Sequence, residues 1–157
     1  MPLSFNRRSF IRNSAMTGLA VSVLPSAHAK PQVDTKKSVV RLGMIAVGLR
    51  GQSHLEEMLK RSDVEITAMA DPDKKMMADA QKLVASYKRK APVEYTNGNH
   101  DYKNLLKRDD VDAVIIASPW EWHLPLSIDA MEAGKIVGVE VCGAIKLQDC
   151  WDYVNAY

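Results

Sequence analysis

A chain of 157 residues, 46% hydrophobic and 25% charged, has the make-up of a single globular domain. The first 29 residues hold three of the 21 basic side chains and none of the 19 acidic ones, which leaves the remainder near neutral. That balance speaks against a nucleic-acid partner and against a basic membrane-surface patch. The one dense basic run, Lys88-Arg89-Lys90, reads as a solvated face at the C-terminal end of a helix, where cations complement the dipole.

At the start of the chain, NRRSFIR (Asn6 to Arg12) sets paired arginines before a phenylalanine; a weakly apolar stretch, Ala15 to Leu24, follows, and then AHA at Ala27 to Ala29. This resembles a bacterial twin-arginine signal cleaved after Ala29. As a helix, the apolar stretch is too short to cross a bilayer core of roughly 30 Å. Residues 1–29 are therefore expected to be a signal peptide read by the twin-arginine translocation machinery, and the protein is expected in the periplasm or otherwise exported. That route carries proteins already folded, usually because a cofactor must be inserted first.

From Lys30 onward strand-like and helix-like pieces alternate. Val39 to Val47 is an apolar, β-branched run of the kind buried on both faces. A helix over His54 to Arg61 follows, then a strand over Val64 to Ala70. Pro72 suits the first turn of a long helix reaching about Lys88, with Asp71 as a candidate cap. Val93 to Thr96 reads as a short third strand, and Ala113 to Ser118 and Ile136 to Glu140 read as the fourth and fifth; a helix over Pro125 to Ala133 lies between these two, closed by Gly134. A last helix begins near Leu147. This spacing predicts an α/β fold with a doubly wound parallel sheet, a Rossmann-type domain over residues 30–157. The chain holds little more than one dinucleotide-binding half plus two strands of the other, and it stops at CWDYVNAY without a helix-terminating signal. It is thus expected to be the N-terminal part of a longer protein, with a C-terminal substrate domain beyond it.

The turn after the first strand, AVGLRG at Ala46 to Gly51, fits G-x-G-x-x-G with alanine in the first place. Gly48 lets the backbone approach a pyrophosphate and Gly51 lets helix pack on strand, although such glycine turns also arise for steric reasons alone. Asp71 closes the second strand 20 residues after Gly51. There a carboxylate can accept from the ribose hydroxyls of NAD and repel the 2′-phosphate of NADP; the plain alternative is a helix cap. The next cluster, Trp120, Glu121, Trp122 and His123, follows the fourth strand, and Glu140 and Val141 follow the fifth. In a parallel doubly wound sheet those ends face the ligand crevice. The tryptophans can cover a nicotinamide or ribose face, or they can simply plug a core. His54, His100 and His123 show no zinc spacing.

RLGMIAVGLRGQSHL, DPD, DVDAVIIASPWEWH, AGKIVGVEV and CWDYV together resemble glycosyl hydrolase family 109, the NAD-dependent α-N-acetylgalactosaminidases. That family lies within the broader glucose–fructose oxidoreductase, inositol dehydrogenase and MocA group. The resemblance covers nearly all of Val39 to Tyr157, and W-E-W-H is its most specific block. It implies NAD as cofactor, with contacts from Gly48, Leu49, Arg50 and Gly51, from Asp71 on the ribose, from Trp120, Glu121, Trp122 and His123 around the nicotinamide side, and from Glu140 and Val141. It implies a glycan substrate with terminal N-acetylgalactosamine, cleaved by oxidation, elimination, addition and reduction, and it leaves room for a homo-oligomer. In the broader group the glutamate after the fifth strand is typically followed by a catalytic lysine and a proline. Val141 and Cys142 stand there instead, which favours the hydrolase branch over the alternative, an NAD-dependent sugar or polyol dehydrogenase. An inactive truncated product is the remaining alternative. The family's acid–base residues lie in the C-terminal domain, so no catalytic residue is assigned to this chain.

Overall fold

The computed structural model describes residues 39–157; the signal-like segment and its cleavage site lie outside them. Ten elements alternate: β1 (Val40–Ile45), α1 (Leu49–Leu59), β2 (Val64–Ala70), α2 (Lys74–Ser86), β3 (Val93–Tyr95), α3 (Tyr102–Leu106), β4 (Ala113–Ile116), α4 (Trp120–Glu132), β5 (Ile136–Val139) and α5 (Leu147–Ala156). The strands form one sheet in the order β3-β2-β1-β4-β5, with every neighbouring pair parallel. The chain winds outward from β1 to β3, then crosses back to β4. The order therefore reverses between β1 and β4, the place where such sheets open a ligand crevice.

Helical periodicity assigns each helix to a face. Gly51, Leu55 and Leu59 of α1 are buried, as are Met77, Ala80 and Val84 of α2, spacings that keep one side of a helix turned inward. These two helices cover Leu42 and Met44 of β1 and Val64 and Ile66 of β2. Leu105 and Leu106 of α3 and Leu126 and Ala130 of α4 cover Ile45, Val114 and Ile116 on the other face. Gly43 makes that second layer possible, because a Cβ there would lie 2.9 Å from Leu105 Cδ2.

A bulge in β2 decides which way its end points. Leu42 pairs with Ile66 but Gly43 pairs with Ala68, so Thr67 is the extra residue. Past it the alternation reverses: Val64 and Ile66 face α1 and α2, whereas Ala68 and Ala70 face α3 and α4. Bulges re-aim side chains in this way, commonly beside functional sites. The hydroxyl of Thr67 is buried and has no hydrogen-bond partner.

Several boundaries differ from those expected. The first helix begins at Leu49 rather than His54, directly on the glycine turn. The cap of α2 is Asp73, not Asp71: its Oδ1 accepts from the amides of Lys75 at 2.8 Å and Met76 at 3.1 Å. The fourth strand stops at Ile116, and the helix expected from Pro125 already starts at Trp120. Pro125 is tolerated inside α4 because the backbone bond it forfeits would run to the carbonyl of Glu121, an exposed first-turn residue open to water. The short helix α3 was not expected, its five residues being too few for a periodic signal. Finally, the basic run is not only a solvated face, since Arg89 donates to the carbonyls of Leu59, the last residue of α1, and of Arg61 just past it.

Candidate cofactor site

The β1–α1 turn is held from three sides. Ala46, in the place of the first motif glycine, has φ +66°, a left-handed conformation that glycine adopts without strain and alanine does not. Its amide donates to Ala70 O at 2.8 Å, which ties the turn to the end of β2. A Cβ on Gly51 would lie 2.1 Å from Ala46 O, so no side chain fits where α1 crosses the turn. At Gly48 a Cβ would meet nothing within 4 Å. Gly48 is also the N-cap of α1, and no side chain caps the helix. The first turn of α1 thus offers backbone N–H groups and the positive end of the helix dipole to an open space, the arrangement that receives phosphate.

Asp71 is 8% exposed and braces this turn. Its Oδ2 accepts from Val47 N at 2.8 Å and its Oδ1 accepts from Asp73 N at 2.8 Å. Thr67 turns it toward the α1 face, which brings it to Val47. Each carboxylate oxygen keeps a further lone pair for a ligand.

Beside Asp71 lies a cleft of about 290 Å³, framed by the ends of the first four strands. Pro72, Asn99, Tyr102, Ser118, Trp122 and Leu126 contribute to its walls, a mostly apolar lining with a few polar groups, suited to a flat heterocycle. Trp122 is half-buried and meets His100 edge-on, with ring centroids 5.6 Å apart. The phenol of Tyr102 donates to Asp129 at 2.6 Å, and burial with that neighbouring carboxylate pushes its pKa far up, so it stays neutral.

The expected residues W-E-W-H do not act as one block. Trp122 shares the cleft with Asp71, on the side of β2 and β3. Trp120, 64% exposed at the start of α4, does not line it, and Glu121 is exposed. His123 is buried, with each ring nitrogen against a backbone carbonyl. Glu140 and Val141 also lie outside the cleft's lining. Glu140 joins the α1 end instead: its Oε1 is 2.5 Å from both Arg50 Nε and His54 Nε2, and its Oε2 accepts from Val141 N at 3.1 Å. Arg50 first, then His54, holds this carboxyl below its usual range. Leu49 and Val141 are largely exposed.

The sequence reading weighed His54 and His100 only as zinc ligands and passed over Asn99 and Tyr102. Only His54 had a usable signal: it stands four residues after Arg50, so both lie on one face of α1 and can share a carboxylate. Among the described residues no group of three His, Cys, Asp or Glu is placed to hold a metal.

An uncapped helix N-terminus on a glycine turn, a carboxylate closing β2 and an apolar cleft beside it, all at the switch point of a parallel sheet, define a dinucleotide-binding domain of the doubly wound class. The chain belongs to the oxidoreductase family with an NAD-binding Rossmann fold, the Gfo/Idh/MocA family, whose family model matches residues 40–156. NAD is the cofactor of that fold, and the site's geometry fits it. The chain is 37% identical, over 168 aligned positions, to a glycosyl hydrolase family 109 protein from Shewanella pealeana, covering 98% of this chain and 37% of that protein. It is 40% identical over 147 positions to an alpha-N-acetylgalactosaminidase from Shewanella oneidensis, covering 91% and 32% respectively. Among solved structures it is similar to myo-inositol dehydrogenase from Lactobacillus casei in complex with NAD(H) and myo-inositol, with a TM-score of 0.64 and 24% identity over 75% of this chain and 33% of that one. It is also similar to an NAD binding oxidoreductase from Klebsiella pneumoniae, with a TM-score of 0.58 and 25% identity over 76% and 31% of the two chains. The chain spans about a third of the length of these curated relatives.

Proposed function

We propose that this domain holds NAD for a glycosidase that releases terminal N-acetylgalactosamine. The observation that carries the reading is the similarity to family 109 proteins across nearly the whole chain. In this reading the amides of Leu49 and Arg50, with Gly48 and Gly51 keeping the approach open, bind the pyrophosphate. Asp71 accepts from the adenosine ribose, and Trp122 walls the cleft beside it. Trp120 and Glu121, exposed at the start of α4, and Val141, exposed after β5, face the remaining part of the dinucleotide. Glu140 and His123 shape the crevice through their partners.

The chemistry NAD supplies when bound is reversible removal of hydride from a sugar carbon, so that a glycosidic bond can be eliminated and water added with no net oxidation. The residues of this chain orient the cofactor and exclude water from one side of it. Val141 and Cys142 supply no ammonium group where the broader oxidoreductase group typically places a lysine, and proton transfer then falls to residues outside this chain. We further infer from Arg7 and Arg8 that the protein leaves the cytoplasm folded, which suits a cofactor regenerated within each turnover.

Two measurements test the proposal. The chain should bind NAD more tightly than NADP in a calorimetric titration. A longer protein carrying this domain should release N-acetylgalactosamine in deuterated water with deuterium at C2 and no accumulation of NADH. Stoichiometric NADH would replace the glycosidase by a sugar or polyol dehydrogenase.

A further inference from the structure

Two donors share one carboxylate oxygen where the end of β5 meets the start of α1. Glu140 Oε1 lies 2.5 Å from Arg50 Nε and 2.5 Å from His54 Nε2, while its Oε2 accepts from Val141 N at 3.1 Å. The Glu140 side chain is only 15% exposed, so these partners stand in for water. The two donors differ in place and in chemistry. Arg50 is the second residue of α1, beside the uncapped amides of its first turn, and its side chain is 65% exposed. His54 stands one turn further along the same face of the helix and is 28% exposed. A neutral imidazole suffices for its contact, because a hydrogen on Nε2 donates to the carboxylate and Nδ1 needs none. The guanidinium is always charged, and phosphate engages it best through two parallel N–H bonds. Here it meets Glu140 through Nε.

A dinucleotide brings two phosphate charges to the end of α1, close to this carboxylate. Arg50 is the group for which the two anions compete. We propose that His54 is a positioning residue: its Nε2–H retains Glu140 against α1 and so allows Arg50 to turn from Glu140 to the pyrophosphate when the cofactor binds. With His54 removed, Arg50 would be the one side chain left on Oε1, and its departure would leave a poorly hydrated carboxylate without a side-chain donor. Arg50 would then stay where it is. The inference rests on the cofactor reading above and adds to it a residue that acts through Glu140 and Arg50.

Calorimetric titration of the whole chain with NAD tests this through a double-mutant cycle. His54→Leu should weaken NAD binding about tenfold, equivalent to roughly one lost hydrogen bond. His54→Gln, which keeps an N–H donor of similar reach, should recover most of that loss. Arg50→Gln should weaken binding in the native background and change it little in the His54→Leu background, where Arg50 stays on Glu140. Losses that simply add, or a glutamine variant as weak as the leucine one, would overturn the proposal and leave the cofactor reading standing. A native chain that binds no NAD would overturn both. Should His54→Leu fail to fold, the native chain labelled with nitrogen-15 decides. Its Arg50 Nε–H signal, assigned by its loss in Arg50→Gln, should move on saturation with NAD while the His54 Nε2–H signal, assigned by its loss in His54→Gln, stays in place. An unmoved Arg50 signal, or a His54 signal that moves in its stead, would overturn the exchange.

Discussion

The two sides of the switch point are built differently. Around β1, β2 and α1 the site is made by backbone and steric fit: Ala46 in a left-handed conformation, Gly51 with no room for a Cβ, and Asp71 buried with both oxygens on main-chain amides. After β5 the backbone is held by side-chain ties from elsewhere, namely Glu140 to Arg50 and His54, His123 to Cys142 O, and Tyr153 to Gly143 O. The apolar cover also differs. α1 and α2 each bury three residues, whereas α5 has none buried, and Ile136, Val141, Leu147, Trp151 and Val154 are each more than half exposed. The phosphate end is thus set by steric fit at Gly51 and by buried amide contacts of Asp71, and the end after β5 by polar contacts that can be altered one at a time.

That contrast predicts a graded series. The largest effect is expected at Gly51→Ala, where a methyl group would overlap Ala46 O and neither backbone can yield without opening the turn. Overpacking of this kind costs about 3 kcal/mol or more, and urea unfolding should show it together with lost NAD binding. Next is Asp71→Ser, which removes carboxylate acceptors from the amides of Val47 and Asp73. It should cost about 2 to 4 kcal/mol of stability and narrow the preference for NAD over NADP. Unchanged stability would mean that Asp71 does not brace the turn.

Smaller and opposite in sign is Ala46→Gly, which relieves a left-handed alanine at φ +66°. It should raise stability by about 1 kcal/mol, less the extra freedom glycine brings to the unfolded chain. The smallest change is expected at Glu140→Gln. Arg50 and His54 hold the Glu140 carboxyl below its usual range, so its contribution is complete above the ordinary carboxylate range and is lost as pH falls through the lowered native value. The glutamine variant should therefore lie slightly below the native chain at neutral pH and match it at the acid end, so that its acid limb is flatter when unfolding is followed across pH. A large neutral-pH loss would erase the contrast between the two sides.

The residues with a functional reading were legible unequally. The glycine turn and Asp71 announce themselves because their spacing follows from a strand, a tight turn and a helix in immediate succession. W-E-W-H was visible as a cluster, but its members part in space because they form the first turn of a helix, on which successive side chains point about 100° apart. The start of α4 was misplaced since Pro125 looks like a first helical residue. Thr67 gave no sign of a bulge, since a run such as Val64 to Ala70 reads equally well with one residue unpaired. Asn99, His100 and Tyr102 sit on a short loop and helix whose place in the cleft depends on β3 lying at the edge of the sheet.

By itself the sequence determined the alternation of strands and helices, the parallel sheet and the phosphate-binding turn, because hydrophobic periodicity and glycine sterics act over a few neighbouring residues. The tertiary structure alone decided the orientation of Asp71, the bond of Glu140 to α1 and the enclosure of His123 against the carbonyl of Cys142. Each of those depends on contacts between segments 19 to 90 residues apart, or on a register shift between strands, and neither is written in local pattern.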